Sequence, residues 1–141
     1  MEPKDYVIRV IKRMIQFLAK IYGLLDEKKY ALAEESVSEK LIELSGLPKE
    51  LIESADSVVL DYTLGITPDI DHEKIFWMAK LYFLKGYARE QGGDPITAYR
   101  YYQCSNQFFS RVDVSKLDEK LSSTALELQT QLPRKVRGVE L

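Results

Sequence analysis

Apolar residues return every three or four positions along most of this chain, the spacing of one face of an α-helix. Over residues 3–25 the stripe is Val7, Val10, Ile11, Met14, Leu18, Ile21, Tyr22 and Leu25, with Pro3 tolerated in a first turn. Ile8, Ile15 and Phe17 lie beside that stripe, so the apolar surface is broader than one neighbouring helix needs. Such a helix is either central in its own domain or partly covered by another chain. The second reading is preferred, with Val7, Ile11, Met14, Phe17 and Leu18 as the candidate homodimer interface.

A second helix is predicted over 27–45, with Tyr30, Ala33, Val37, Leu41 and Leu44 as its seam and Gly46 as its left-handed C-cap. Leu47-Pro48 opens a short helix to about Ala55, and Asp56 and Ser57 cap a further turn through Leu60. The stretch 57–66 is open between helix and extended chain, and Pro68 separates this insert from the next long helix. Residues 71–91 carry a wide apolar face of Ile75, Met78, Ala79, Tyr82, Phe83 and Tyr87, with Trp77 on its flank. Gly92-Gly93-Asp94-Pro95 then supplies a turn, an N-cap and a first helical proline. The next helix runs to about Arg111, and a terminal one, capped by Asp113, keeps helical spacing through Leu132, where Pro133 stops it. The expectation is one all-α domain over 1–132. It is a compact bundle of about five long helices: hairpin 1 over 3–45, a short-helix insert over 47–67, hairpin 2 over 71–111, and a terminal helix over 113–132. A flexible basic tail completes the chain over 133–141.

The second hairpin resembles a tetratricopeptide unit. Gly86 and Ala88 fall on small positions of its first helix, Gly93-Asp94 on its turn, Ala98 on the small residue of its second helix and Tyr102 on a large apolar position. Lys85, Arg89 and Ser105 depart from that pattern. Over nearly its whole length the chain also resembles a family of small bacterial helical proteins with a domain of unknown function, found largely in Gram-positive organisms. The shared features are Lys4-Asp5-Tyr6-Val7-Ile8-Arg9-Val10-Ile11, Leu24-Leu25-Asp26-Glu27-Lys28-Lys29-Tyr30, Gly46-Leu47-Pro48 and the Gly92-Gly93-Asp94 turn. The resemblance implies a helical fold and carries no activity, cofactor or catalytic residue.

Composition narrows the picture further. With 141 residues and a single cysteine, Cys104, a disulfide-stapled secreted fold is excluded. A net charge of −2 gives no bulk attraction to nucleic acid or an anionic membrane. The charge is unevenly placed: residues 1–25 sum to +3, 26–73 to −9 and 74–141 to +4. The acidic middle suits a basic partner or the basic segments of this chain or another copy, although exposed helix faces are commonly charged for solubility alone. No apolar run has the length of a signal peptide or membrane span, so the expected location is cytoplasmic.

Candidate chemistry is sparse. His72 stands between Asp71 and Glu73 at a helix start, where the carboxylates suit the helix dipole better than a metal. Cys104 has no histidine near it in sequence and reads as an inert, partly buried thiol. Gly92-Gly93 lacks the strand and Lys-Ser or Lys-Thr of a phosphate loop. No catalytic, cofactor or metal residue is assigned, and no enzyme is expected. The aromatic residues Trp77, Tyr82, Tyr87, Tyr99 and Tyr102 are the candidate groove. The preferred function is a non-catalytic protein–protein interaction or scaffold module that binds another protein or itself. The alternative is a small-molecule or peptide-binding bundle with an aromatic-lined groove.

Overall fold

The structure, a computed structural model, describes residues 3–65 and 70–137, with side chains from Ile8 onward. It is all-helical, with no strand among the described residues. The order is α1 (Pro3–Asp26), α2 (Tyr30–Ser45), α3 (Lys49–Ser54), α4 (Ser57–Leu64), α5 (His72–Gln91), α6 (Pro95–Phe109) and α7 (Ser122–Arg137). Single 3₁₀ turns at Val114–Lys116 and Glu119–Leu121 lead into α7.

Local chemistry sets the helix ends. The Asp71 and Asp94 carboxylates accept from the backbone N–H groups of Lys74 and Thr97, both at 3.1 Å, and so satisfy first-turn donors that a helix cannot pair internally. Gly46 closes α2 at φ 74°, donating its N–H to the Ile42 carbonyl at 2.7 Å.

α5 is the centre of the fold. Every residue from Ile75 to Gly86 is buried, so this helix has no solvent face over three turns. It lies closest to α6 and α2. Gly86 permits the approach of α6: a Cβ there would lie 2.8 Å from two Tyr102 ring carbons and 3.1 Å from the Ala98 carbonyl oxygen. The aromatic side chains fill the space between these helices. Tyr82 stacks on Phe108 at 5.8 Å, Phe83 meets Tyr102 at 5.4 Å, and Phe76 meets Trp77 edge-on at 5.2 Å. Buried hydroxyls find carbonyls: Tyr82 donates to Ile52 at 3.0 Å and Ser105 to Ala79 at 2.6 Å.

Three expectations are corrected. The segment after Ser57 is a helix to Leu64 rather than a turn ending near Leu60, with Val59 fully buried beneath it. Asp113 does not cap the long terminal helix. Its carboxylate accepts from the Ser115 N–H at 3.1 Å and hydroxyl at 2.6 Å, which holds a single 3₁₀ turn, and Asp118 holds the next, so α7 starts at Ser122. Pro133 does not end α7, which continues to Arg137. The proline loses one helical hydrogen bond. Contacts on either side hold the helix: Leu132 is in the core, Val136 packs on it, and the Lys135 ammonium donates to Glu90 at 2.7 Å. Arg134, Lys135 and Arg137 therefore form a basic last turn, favourable at a helix C-terminus, rather than a tail. Pro68, residues 138–141 and the Val7 side chain lie outside the described residues.

Candidate functional site

The residues singled out from the sequence do not assemble into one site. Ile11, Met14 and Leu18 belong to the core of the same chain, and Phe17 is half-buried with the Lys40 ammonium 5.0 Å from its ring centre. Of the aromatic set, Trp77, Tyr82 and Tyr102 are buried among α5 and α6, whereas Tyr99 is half-buried and accepts from Gln103 at 3.1 Å. Tyr87 alone of these borders an open groove.

That groove, of about 820 Å³, runs between α1 and α7 with α5 as its floor. Each helix contributes one face at three- and four-residue steps. From α5 come Lys80, Phe83, Leu84 and Tyr87; from α1, Ile15, Leu18, Ala19, Tyr22, Leu25 and Asp26. The α7 side supplies Thr124, Glu127, Gln131 and Lys135, preceded by Lys120 and Ser123. Leu18, Leu25, Phe83 and Leu84 make the bottom apolar, while Ile15 and Tyr22 stand exposed on the α1 rim.

Lys80 is the unusual member. Its side chain is 4% exposed, yet its nearest carboxylate is Glu127 at 4.0 Å, a distance beyond hydrogen bonding, and Glu127 itself is 59% exposed. The ammonium lies 5.6 Å from the Tyr22 ring centre and 5.7 Å from that of Phe83, so aromatic faces supply part of what water would have given. Among the described residues no acceptor hydrogen-bonds it. The stem of the side chain is buried, and the ammonium with its three donors opens onto the groove.

A second concavity, of about 580 Å³, lies on another side of α5, lined by Glu34, Glu35, Glu39 and Glu53 with Lys49, Arg89 and Asp94. Its ions answer one another. Lys85, fully buried at its base, donates to Glu34 and Glu53 at 2.9 Å each and to the Ser38 hydroxyl at 2.6 Å, with the Tyr101 ring centre 4.5 Å away. Arg89 pairs with Glu34, and with Asp94 at 3.2 Å. Burial works to raise the Glu53 carboxyl, but the hydrogen bond and charge of Lys85, with Tyr101 and Ser38, outweigh it and hold the group below its ordinary value. Burial and the carboxylate of Glu53 push the Tyr101 hydroxyl well above its own ordinary value.

The uneven charge of the chain thus becomes a spatial division. The net-positive segments 1–25 and 74–141 build the groove apart from Asp26 at its edge, and the acidic segment 26–73 supplies most of the carboxylates of the second concavity.

The remaining reactive groups are engaged. His72 Nδ1 accepts from the Asp113 N–H at 3.0 Å and ties the start of α5 to the link before α7. Burial pushes the Cys104 thiol up to about 12, which leaves almost no thiolate near neutral pH. Among the described residues no three His, Cys, Asp or Glu side chains converge to hold a metal, and no helix is long and apolar enough to cross a membrane.

The sequence marks Lys85 only as a departure from the tetratricopeptide pattern and does not single out Lys80, although a signal is present in both. They are the only charged residues in the stretch 75–86, Ile-Phe-Trp-Met-Ala-Lys-Leu-Tyr-Phe-Leu-Lys-Gly, which has apolar residues on every helical face. No protein-family model, curated protein or solved structure matches the chain.

Proposed function

We propose that this protein is a non-catalytic binding module that acts through the groove between α1, α5 and α7. One observation carries the reading: a lysine side chain, 4% exposed, opens onto a groove with an apolar floor and a polar α7 wall, and has no hydrogen-bond acceptor among the described residues. A bound acidic group would complete it, and the apolar floor would add the affinity of buried surface. Absence of catalysis is supported by the buried thiol and the engaged histidine. The tetratricopeptide-like reading of the second hairpin belongs to the same proposal. It is supported by the packing of Gly86 against Tyr102 and Ala98, three of the residues that carry the resemblance.

The test uses 8-anilinonaphthalene-1-sulfonate, an apolar anion whose fluorescence rises on leaving water. Wild-type protein is expected to bind it at one site. Ala19→Trp, which fills the groove from an exposed position on α1, is expected to abolish binding with an unchanged circular dichroism spectrum and melting temperature. Dye binding that ignores Ala19→Trp, or no binding by the folded wild type, would overturn the proposal.

Self-association through α1 has Ile15 at 49% and Tyr22 at 41% exposure as its large apolar contacts, since Ile11, Met14, Leu18, Ile21 and Leu25 are in the core. Both line the groove, so a second copy would dock at the same place. Light scattering across a concentration series separates this case. A mass that stays near twice 16.3 kDa on dilution assigns the groove to another copy, and a monomer leaves it to an outside partner.

A further inference from the structure

The outer faces of α1 and α2 carry opposite charge side by side. We infer that they form an interface through which two copies of this chain associate about a two-fold axis, with α1 of each copy lying on α2 of the other. Neither charged face lines the groove, so this interface is independent of the groove reading.

The α1 face is basic. From Ile8 to Leu25 the sequence holds Arg9, Lys12, Arg13 and Lys20 and no acid. With Gln16 and Gly23 they recur at three- and four-residue steps on the side opposite the buried stripe of Ile11, Met14, Leu18, Ile21 and Leu25, and all six are exposed. None of the four cations has an ion pair among the described residues.

The α2 face is acidic. Glu35, Glu39 and Glu43 follow one another at four-residue steps, with exposed Leu32 before them, opposite the side that packs through Ala33, Val37 and Leu41. Like charges at this spacing disfavour a helix, and among the described residues only Glu43 of the three has a cation, Lys40 at 3.2 Å.

Gly23 adds a requirement of shape. It lies within α1, where almost any other residue favours the helix more, and a Cβ built there meets nothing within 4 Å. No packing among the described residues calls for a glycine at this exposed position. Close approach by another chain does, and the outer face of α2 offers Leu32, 49% exposed, to fill the space.

The two faces are also in register. α1 and α2 are antiparallel neighbours, with Phe17 beside Lys40 and a short turn joining Asp26 to Tyr30. Arg13 is therefore level with Glu43, Gln16 with Glu39, Lys20 with Glu35 and Gly23 with Leu32, each to within about two residues. A two-fold axis parallel to these helices keeps every residue at its own height while carrying α1 of one copy over α2 of the other. Arg13 and Lys20 then meet Glu43 and Glu35 of the second copy, Gly23 meets its Leu32, and the same contacts recur across the axis. A membrane or a nucleic acid would cover both helices together and set its own negative charge against the acidic ridge.

Size sets the strength. Two helices about 10 Å wide and roughly 20 Å long bury on the order of 800 Å² in total, the low end for a specific interface. Exposed ion pairs add little each and are screened by salt, so the association is weak and salt-sensitive.

The experiment is sedimentation equilibrium of the full chain across a concentration series at about 20 mM and about 500 mM salt. At low salt the wild-type mass is expected to rise from 16.3 kDa toward twice that value, and to return to it on dilution or at high salt. A dimer formed in the groove would instead persist on dilution. Arg13→Glu with Lys20→Glu, and separately Glu35→Lys with Glu43→Lys, are each expected to weaken association tenfold or more with an unchanged circular dichroism spectrum, since all four positions are exposed. An equimolar mixture of these two variants is expected to recover the dimer, because each then offers the other complementary charge on both helices. Gly23→Gln is expected to abolish association while the melting temperature holds or rises. The inference is overturned by a wild type that stays monomeric at low salt, whether or not it adsorbs to phosphatidylglycerol vesicles. Association that survives either charge reversal or Gly23→Gln, or a mixture that stays monomeric, would overturn it as well.

Discussion

Two lysines five residues apart on α5 are both buried, and they sit in opposite chemical situations. Lys85 has three acceptors within 2.9 Å, drawn from α2 and α3, and an aromatic face above it. Lys80, about 140° round the helix by the 3.6-residue turn, has two aromatic rings, a distant carboxylate and no hydrogen bond among the described residues. Ionic completeness marks a group that joins secondary-structure elements. Incompleteness at the floor of an open groove marks a group left for something else to complete. The same residue type on the same helix is therefore enclosed by ion pairs at one position and, under the proposed function, left for recognition at the other, and neighbouring helices make the difference.

The largest effect is expected at Lys85. Lys85→Met removes the ammonium and leaves Glu34 and Glu53 facing each other, so stability is expected to fall by about 3 kcal/mol, read from the urea midpoint. An unchanged midpoint would break the distinction.

Gly86→Ala tests the adjacent packing without touching charge. Its new methyl group would meet the buried Tyr102 ring, and the expected cost is about 2 kcal/mol in the same measurement. Were this substitution neutral, the approach of α6 to α5 would be looser than the structure shows.

Acidification sharpens the ionic side. The Glu53 carboxyl is held below its ordinary value of 4.5, so its contribution is present above that pH and disappears as pH falls through the lowered value. The stability difference between wild type and Glu53→Gln is therefore expected to shrink between neutral pH and about pH 3. Glu73 has the opposite sign. Burial and the Asp71 charge raise its carboxyl, so ionising it costs stability as pH rises through that range, and Glu73→Gln is expected to gain on wild type in the same direction.

Lys80→Met should change stability by less than about 1 kcal/mol, because an apolar side chain of similar size replaces an ammonium that has no hydrogen bond. A loss as large as that at Lys85 would make both lysines structural. The smallest expected effect is at Cys104. Its thiol should ignore a thiol-disulfide reagent in the native state and react once urea unfolds the chain.

Much of the helical layout was legible along the chain because its causes are local. Asp71, Asp94-Pro95 and Gly46 fix helix ends through bonds within a few residues, and three- and four-residue apolar steps mark the buried faces. The errors fell where distant contacts override local preference. Pro133 is a helix breaker by itself, but Lys135 reaching Glu90 and Leu132 reaching the core carry α7 past it. Asp113 is a sound cap by type, yet its carboxylate closes one 3₁₀ turn instead of opening a long helix. Of the aromatic groove expected from Trp77, Tyr82, Tyr87, Tyr99 and Tyr102, Trp77, Tyr82 and Tyr102 are core and Tyr87 borders a groove, since rings on several faces of α5 and α6 can all be buried when α5 has neighbours on every side.

The sequence by itself determined an all-helical chain, several of its helix termini and the division of charge between acidic middle and basic flanks, because each arises from spacing, capping or composition. Tertiary structure alone decided that α5 is central, that Lys85 is completed by Glu34 and Glu53, 51 and 32 positions away, and that Lys80 faces a groove with no hydrogen-bond acceptor among the described residues. The physical reason is that an ion's role depends on its acceptors, and here those acceptors arrive from other helices.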